Sequence, residues 1–188
     1  MQFIQDKLAA EGKISWLETL AKRPGMTFRY VFTIADVMAD PAACTLYATE
    51  NVDVTFDLPK GTTLKSGATA DDLHTQVVET DTISFKQIEK ITVDKFQDDR
   101  NAQYSDDGHP DIVVTVAPPL FHVKLWASSA VFSNHTTTTK GNQAPVEKDR
   151  AEKTNGFLFH DEDSANRMAK AMIHAMELCG GGPRKELF

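Results

Sequence analysis

The chain has 188 residues, and 20 Lys and Arg set against 27 Asp and Glu leave a formal charge of −7 at neutral pH. Apolar residues, at 41%, supply enough material to pack one domain of ordinary size. The acidic balance opposes binding to nucleic acid or to anionic lipid, and no apolar run approaches the roughly 18 residues of a membrane-spanning helix.

At the amino terminus, Phe3, Ile4 and Leu8 recur at one-turn spacing, which predicts a short amphipathic helix over 1–12 stopped by Gly12. This segment lacks the basic start, long apolar run and cleavage site of a secretory signal. Met1 is therefore either a native start or a cloning start placed after a removed signal. Ile14 and Trp16 suggest a short strand, and Arg23-Pro24-Gly25 supplies turn chemistry. Met26, Phe28, Tyr30, Phe32 and Ile34 then alternate with polar or smaller residues, the period-two pattern of a half-buried strand. After Asp40-Pro41, Cys44, Leu46 and Ala48 alternate again, and Val52, Val54 and Phe56 continue that pattern.

Residues 58–72 are rich in Pro, Gly, Thr, Ser and Asp and read as a loop. Extended stretches follow from Val77 to Phe85 and through Ile88, Ile91 and Val93. A second polar interruption, 97–111, reads as an acidic loop. Ile112, Val114 and Val116, then Phe121, Val123 and Leu125, mark two more strands around Pro118-Pro119. The Thr-, Lys- and Asn-rich segment 134–156, with threonine at 136–139, reads as one long mobile loop before a last short strand at 157–159.

The carboxyl-terminal helix is the strongest signal. Asp161, Glu162 and Asp163 lead into Ser164 as a cap-rich, acidic start. Ala165, Met168, Ala169, Met172, Met176 and Cys179 recur at three- and four-residue steps, and Gly180 stands at the left-handed C′ position. About seven strands followed by one long amphipathic helix imply an α+β protein with a mostly antiparallel sheet that the helix covers.

This order resembles the pleckstrin-homology-like fold, a bent seven-stranded barrel capped by a carboxyl-terminal helix. The resemblance rests also on Phe157-Leu158-Phe159-His160 running into Asp161-Glu162-Asp163-Ser164-Ala165, and on the stretch from Ile83 to Ile91. It implies a single domain over 13–182, preceded by the short helix and followed by a tail at 183–188. Phe3-Ile4-Gln5-Asp6-Lys7-Leu8, Asp40-Pro41-Ala42-Ala43-Cys44 and the helix from Ala165 to Gly181 are similar to a family of bacterial proteins of unknown activity. Members of that family often carry an export signal.

The two cysteines, Cys44 and Cys179, read either as free buried thiols or as one bridge closing a very long loop. The family resemblance favours the bridge and an exported or periplasmic protein; otherwise the chain reads as cytoplasmic. Neither cysteine has a partner at zinc-ligand spacing.

Motifs for chemistry are sparse. There is no nucleophile elbow, and residues 61–67 lack the ending of a phosphate loop. The six histidines show no metal-ligand spacing, and Asp98, Asp99, Asp106, Asp107 and Asp111 do not match a calcium-loop template because Tyr104 stands where glycine is required. No cofactor or metal is expected. Lys22, Arg23 and Arg29, with Lys13, lie near the first hairpin and are the candidate anion contacts.

The leading expectation is a non-catalytic binding module for an unknown protein or peptide, using a groove beside the final helix lined by Phe157, Phe159, Met168 and Met172. A carrier reading places a small apolar ligand among Phe28, Phe32, Phe56, Phe85 and Phe121. A hydrolase reading rests on Asp107, His109 and Asp111 in the acidic loop at 106–111.

Overall fold

The computed structural model describes residues 1–21, 25–59, 62, 73–109 and 112–182. Its larger sheet begins with three consecutive hairpin connections, joining β1 (Lys13–Leu20), β2 (Thr27–Asp40), β3 (Thr45–Asp57) and β4 (Thr75–Ser84). A 3-10 turn (Phe85–Gln87) leads to β5 (Lys90–Lys95), α2 (Phe96–Asp106) and β6 (Val114–Ala117). Then come β7 (Phe121–Trp126), β8 (Phe132–Lys140), β9 (Val146–Glu152) and β10 (Thr154–Phe159), flanked by helices α1 (Gln2–Glu11) and α3 (Glu162–Leu178).

The strand order is β6-β1-β2-β3-β4-β8-β9 in the seven-stranded sheet and β10-β7-β5 in a three-stranded one, with every pair antiparallel. Side chains along β2 point inward at Phe32 and Ile34. A bulge between Ile34 and Asp36 then shifts the register against β3, so that Val37 turns inward and Asp36 stays in solvent.

Helix α3 covers the three-stranded sheet, and α1 lies between α3 and β2. Its buried face is Ala165, Met168, Ala169, Met172, Ala175 and Met176, the small and flexible stripe expected from the sequence. Both ends of α3 are fastened. Asp161, rather than Ser164, is the cap residue, its Oδ1 accepting the Ser164 backbone N–H at 2.7 Å. At the other end, the N–H groups of Gly180 and Gly181 donate to the carbonyls of Glu177 and Met176. Gly180 has a φ of 77°, so this is a Schellman turn that a side chain would strain. Gly182 N–H continues to the Ile88 carbonyl at 2.8 Å, tying the chain to the start of the small sheet.

The architecture is α+β, but among the described residues there are ten strands rather than seven, in sheets that do not close into a barrel. The segment 134–156, expected as a loop, forms most of β8, all of β9 and the start of β10. Threonine is β-branched and suits a pleated strand, so its run pairs with β4 instead of remaining open.

The acidic segment 97–111 is corrected too, because most of it is α2. No residue of this helix is fully buried, so it shows no amphipathic signature, although Phe96 is half-buried and packs edge-on against Trp16. Most of its attachments are polar. Gln97 and Asn101, one turn apart, accept the N–H groups of Val116 and Val114, two residues apart on edge strand β6. A helical turn thus substitutes for a neighbouring strand and protects that edge. Arg100 reaches the fully buried Glu18 with two bonds of 2.9 Å, and Trp16 Nε1 donates to the same carboxylate at 3.2 Å. Tyr30 stacks on Trp16 at 4.8 Å, and burial with the Glu18 charge beside it pushes its hydroxyl well above the usual range. Arg100→Ala would strand the Glu18 charge, with an expected loss of about 3–5 kcal/mol in a urea denaturation curve.

Cys44 and Cys179 are joined as a disulfide across 135 residues of sequence. The bridge fastens the turn between β2 and β3 to the residue that caps α3. Of the two readings left open by the sequence, free thiols and a bridge, the structure has the bridge. In the chain-entropy account, closing a loop of this length restricts the unfolded chain by about 5 kcal/mol. Replacing both cysteines by alanine should lower the denaturation midpoint accordingly, while far-ultraviolet dichroism of the folded form stays unchanged.

Candidate functional site

Strand alternation brings one row of inward-facing residues from each of β3, β4 and β8 into register. Leu46 faces Ile83, Ala48 faces Asp81 and Glu50 faces Glu79 across β3 and β4; Asp81 and Glu79 face Asn134 and Thr136 across β4 and β8. The row is apolar at one end, where Leu46, Ile83 and Phe132 are buried in the core. Further along the same inward phase it turns polar, at Asp81 and Asn134 two residues on and, past Ala48, at Glu50 four residues on. The polar end opens into a cavity of ≈ 200 Å³, closed on its other side by His122 of β7, Glu152 of β9 and the chain from Thr154 to Gly156.

The electrostatics of this pocket are unusual for a protein interior. Glu50 is 8% exposed, and its Oε1 atom has no hydrogen-bond partner. Burial pushes its carboxyl well above the ordinary range, reinforced by the charges of Asp81 and Glu79. Glu79 is pushed up to about 7 by burial and by Asp81, against a hydrogen bond from Asn134 that lowers it. Burial raises Asp81 as well, although Asn134 and Asn155 both donate to it. The Oδ1 atom of Asn155 has no partner. Arg150 is the nearest cation, spanning Glu152 at 3.4 Å and Thr136 at 3.4 Å.

On the opposite wall, His122 Nδ1 lies 2.8 Å from Asp99 Oδ2, and Lys124 donates to the other oxygen at 2.8 Å. Burial alone would raise Asp99, but these two partners outweigh it and hold the carboxyl below its usual value. An ionised Asp99 accepts from Nδ1, so the neutral ring keeps its lone pair on Nε2. Nε2 lies over Gly156, where a Cβ would come within 2.6 Å of it and would also collide with the Val123 carbonyl. Glycine at 156 is what allows β10 and the imidazole to share this wall.

The residues singled out from sequence lie elsewhere. Phe157, Phe159, Met168 and Met172 are core residues rather than the walls of an open groove. Phe159 and Met168 reach only a cleft of ≈ 40 Å³ beneath Phe3, Lys7 and Glu11 of α1, which occupies the position proposed for a partner. Arg29 pairs with Asp57 at 3.1 Å on the surface, while Lys22 and Arg23 lie outside the described residues. Phe32 and Phe85 are in the core, Phe28 and Phe56 pack on each other at 4.7 Å, and Phe121 borders a separate cleft with Leu120 and Pro119. These five aromatics therefore do not line one common cavity. Asp107 and His109 are exposed beyond the end of α2, and Asp111 lies outside the described residues. The alternation of Leu46, Ala48 and Val52 already assigned position 50 to the inward phase, so the signal for Glu50 was a carboxylate at an apolar position.

No family model, curated protein or solved structure matches the chain. Among the described residues, no group of three or more His, Cys, Asp or Glu side chains is arranged to hold a metal ion, and no helix is long and apolar enough to cross a membrane.

Raised carboxyl values make the folded protein bind more protons than the unfolded chain across the interval between the two values. Stability should therefore fall as pH rises from the ordinary 4.5 of Glu79 toward its folded value of about 7. Calorimetric melting temperatures measured across that interval should decline, and Glu79→Gln should flatten the decline.

Proposed function

We propose that this protein is a non-catalytic binding module on a pleckstrin-homology-like scaffold, and that its recognition site is the acidic pocket between the two sheets. The observation that carries this reading is the Glu50 carboxylate, buried with an unpartnered oxygen on the wall of a solvent-accessible cavity. A buried polar group without a partner lowers stability, so a chain that keeps one at an inward strand position has a use for it outside folding.

Scaffold order supports the same reading. Setting aside the α2–β6 and β8–β9 segments leaves β1–β5, β7 and β10 followed by α3, the seven strands and final helix that the resemblance implies. Both set-aside segments add strands at the two ends of the larger sheet. The Cys44–Cys179 bridge suits an oxidising compartment and so supports an exported protein.

Glu50→Met tests the reading, because a side chain of similar size removes the unpartnered oxygen without opening a void. The variant should melt at or above the wild-type temperature, by up to about 3 °C for each kcal/mol recovered. A clear fall in melting temperature would instead make the carboxylate part of the folding framework and would overturn the assignment.

A further inference from the structure

We propose that the pocket binds a small organic cation through a primary ammonium group, received by Glu50, Asn155 and His122. This inference rests on the binding-module reading and names its ligand class. Two lines of reasoning on the pocket's own atoms lead to it.

The first is hydrogen-bond capacity. Glu50 Oε1 and Asn155 Oδ1 are unpartnered acceptors, and His122 Nε2 is a third when the ring is neutral and Nδ1 donates to Asp99. The donors nearby are already committed: Asn134 Nδ2 serves Glu79 and Asp81, and the Asn155 amide serves Asp81. A wall of unspent acceptors selects a ligand that brings several donors, and an ammonium group brings three. A carboxylate or phosphate ligand would meet the carboxyl groups of Glu50, Glu79, Asp81 and Glu152, with Arg150 as its one cationic donor, already engaged with Glu152 and Thr136.

The second is charge. Glu50, Glu79, Asp81 and Glu152 contribute four carboxyl groups to the lining, against Arg150 as the one cation among the described residues in contact with them. Lys124 is spent on Asp99. When ionised, the cluster carries an excess of four minus one, or three, negative charges. The side chains do not converge as metal ligands do, and a primary ammonium, a compact charge with three directed N–H donors, suits separate acceptors better than a bare metal ion does. Its alkyl portion would lie toward the cavity mouth, in a space of ≈ 200 Å³.

Ammonium binding competes with protonation of Glu79, which is faced by Glu50, Asp81, Glu152, Arg150, Asn134 and Thr136 from the strands around it. Affinity for the cation should therefore rise as the solution becomes more alkaline.

The test is a titration of the intact, oxidised protein with n-butylamine, followed by amide NMR shifts at Thr154, Asn155 and Gly156. n-Butanol serves as the uncharged control, calcium chloride as the metal control, and N-acetyl-lysine methylamide as the peptide form of the same group. Saturable shifts are expected with butylamine at about pH 8, weakening about tenfold or more by about pH 5.5. Glu50→Gln should weaken binding about tenfold or more, a loss expected when a charged hydrogen-bond partner is removed. A stronger response to the lysine analogue identifies a peptide side chain as the ligand source; a stronger response to butylamine identifies a free amine. Butanol acting as well as butylamine, calcium binding in its place, or no saturation by either amine would overturn the proposal. If Glu50→Met is stabilising while neither amine binds, the pocket remains a recognition site and only the cation assignment fails.

Discussion

The structure turns on one geometric constraint: successive residues of a strand must face opposite ways, so whatever lies in the inward phase is enclosed once the sheet is covered. Across β3, β4 and β8 that phase is filled by Leu46, Ile83 and Phe132 at one end and by Glu50, Asp81 and Asn134 at the other. The apolar end meets the small sheet and α3 and supplies the core. The polar end is enclosed by the same strands and has no freedom to turn away. Core and pocket are thus two halves of a single pleated face, and the raised carboxyl values follow directly from the packing that stabilises the rest.

Two helices cover the sheets by different physics. α3 presents a stripe of alanine and methionine, burying area that stabilises at roughly 25 cal/mol per Å². α2 has no fully buried side chain, packs Phe96 and Tyr104 half-buried against the core, and is attached mainly through hydrogen bonds between Gln97, Asp99, Arg100 and Asn101 and three different strands. The second mode is specific in register, since each of these side chains is matched to particular groups on a particular strand. Its Asp99 also sets which imidazole nitrogen of His122 faces the pocket, which connects a peripheral helix to the chemistry of the interior.

The extent to which sequence foretold these features follows from the same contrast. α3 and the β2 alternation were legible because hydrophobic periodicity reports burial of apolar faces. α2 was hidden because its attachments are polar and long in sequence, 82 residues separating Arg100 from Glu18. β8 and β9 were hidden because a threonine- and charge-rich segment resembles a loop in composition, and only pairing with β4 reveals its strand preference. The pocket was legible in principle at Glu50, whose place in the apolar phase between Ala48 and Val52 marks a buried carboxylate. Its companions Glu79 and Asp81 needed the register of β3 against β4, which no local pattern supplies. The residues of the expected groove are buried, with α1 over the cleft that Phe159 and Met168 border, and an amphipathic helix at one end of a chain does not announce which surface it will cover.

The bond between Cys44 and Cys179 also has a mechanical meaning. It makes a covalent ring of the segment between them, which contains every strand after β2 and all of α3. A tensile load applied to the two chain ends travels through that bond and bypasses the ring. Only α1, β1, β2 and the short stretch after the ring lie in the path of the force, so pulling would draw β1 and β2 out from between β6 and β3 while the acidic pocket, whose lining lies within the ring, stayed slack.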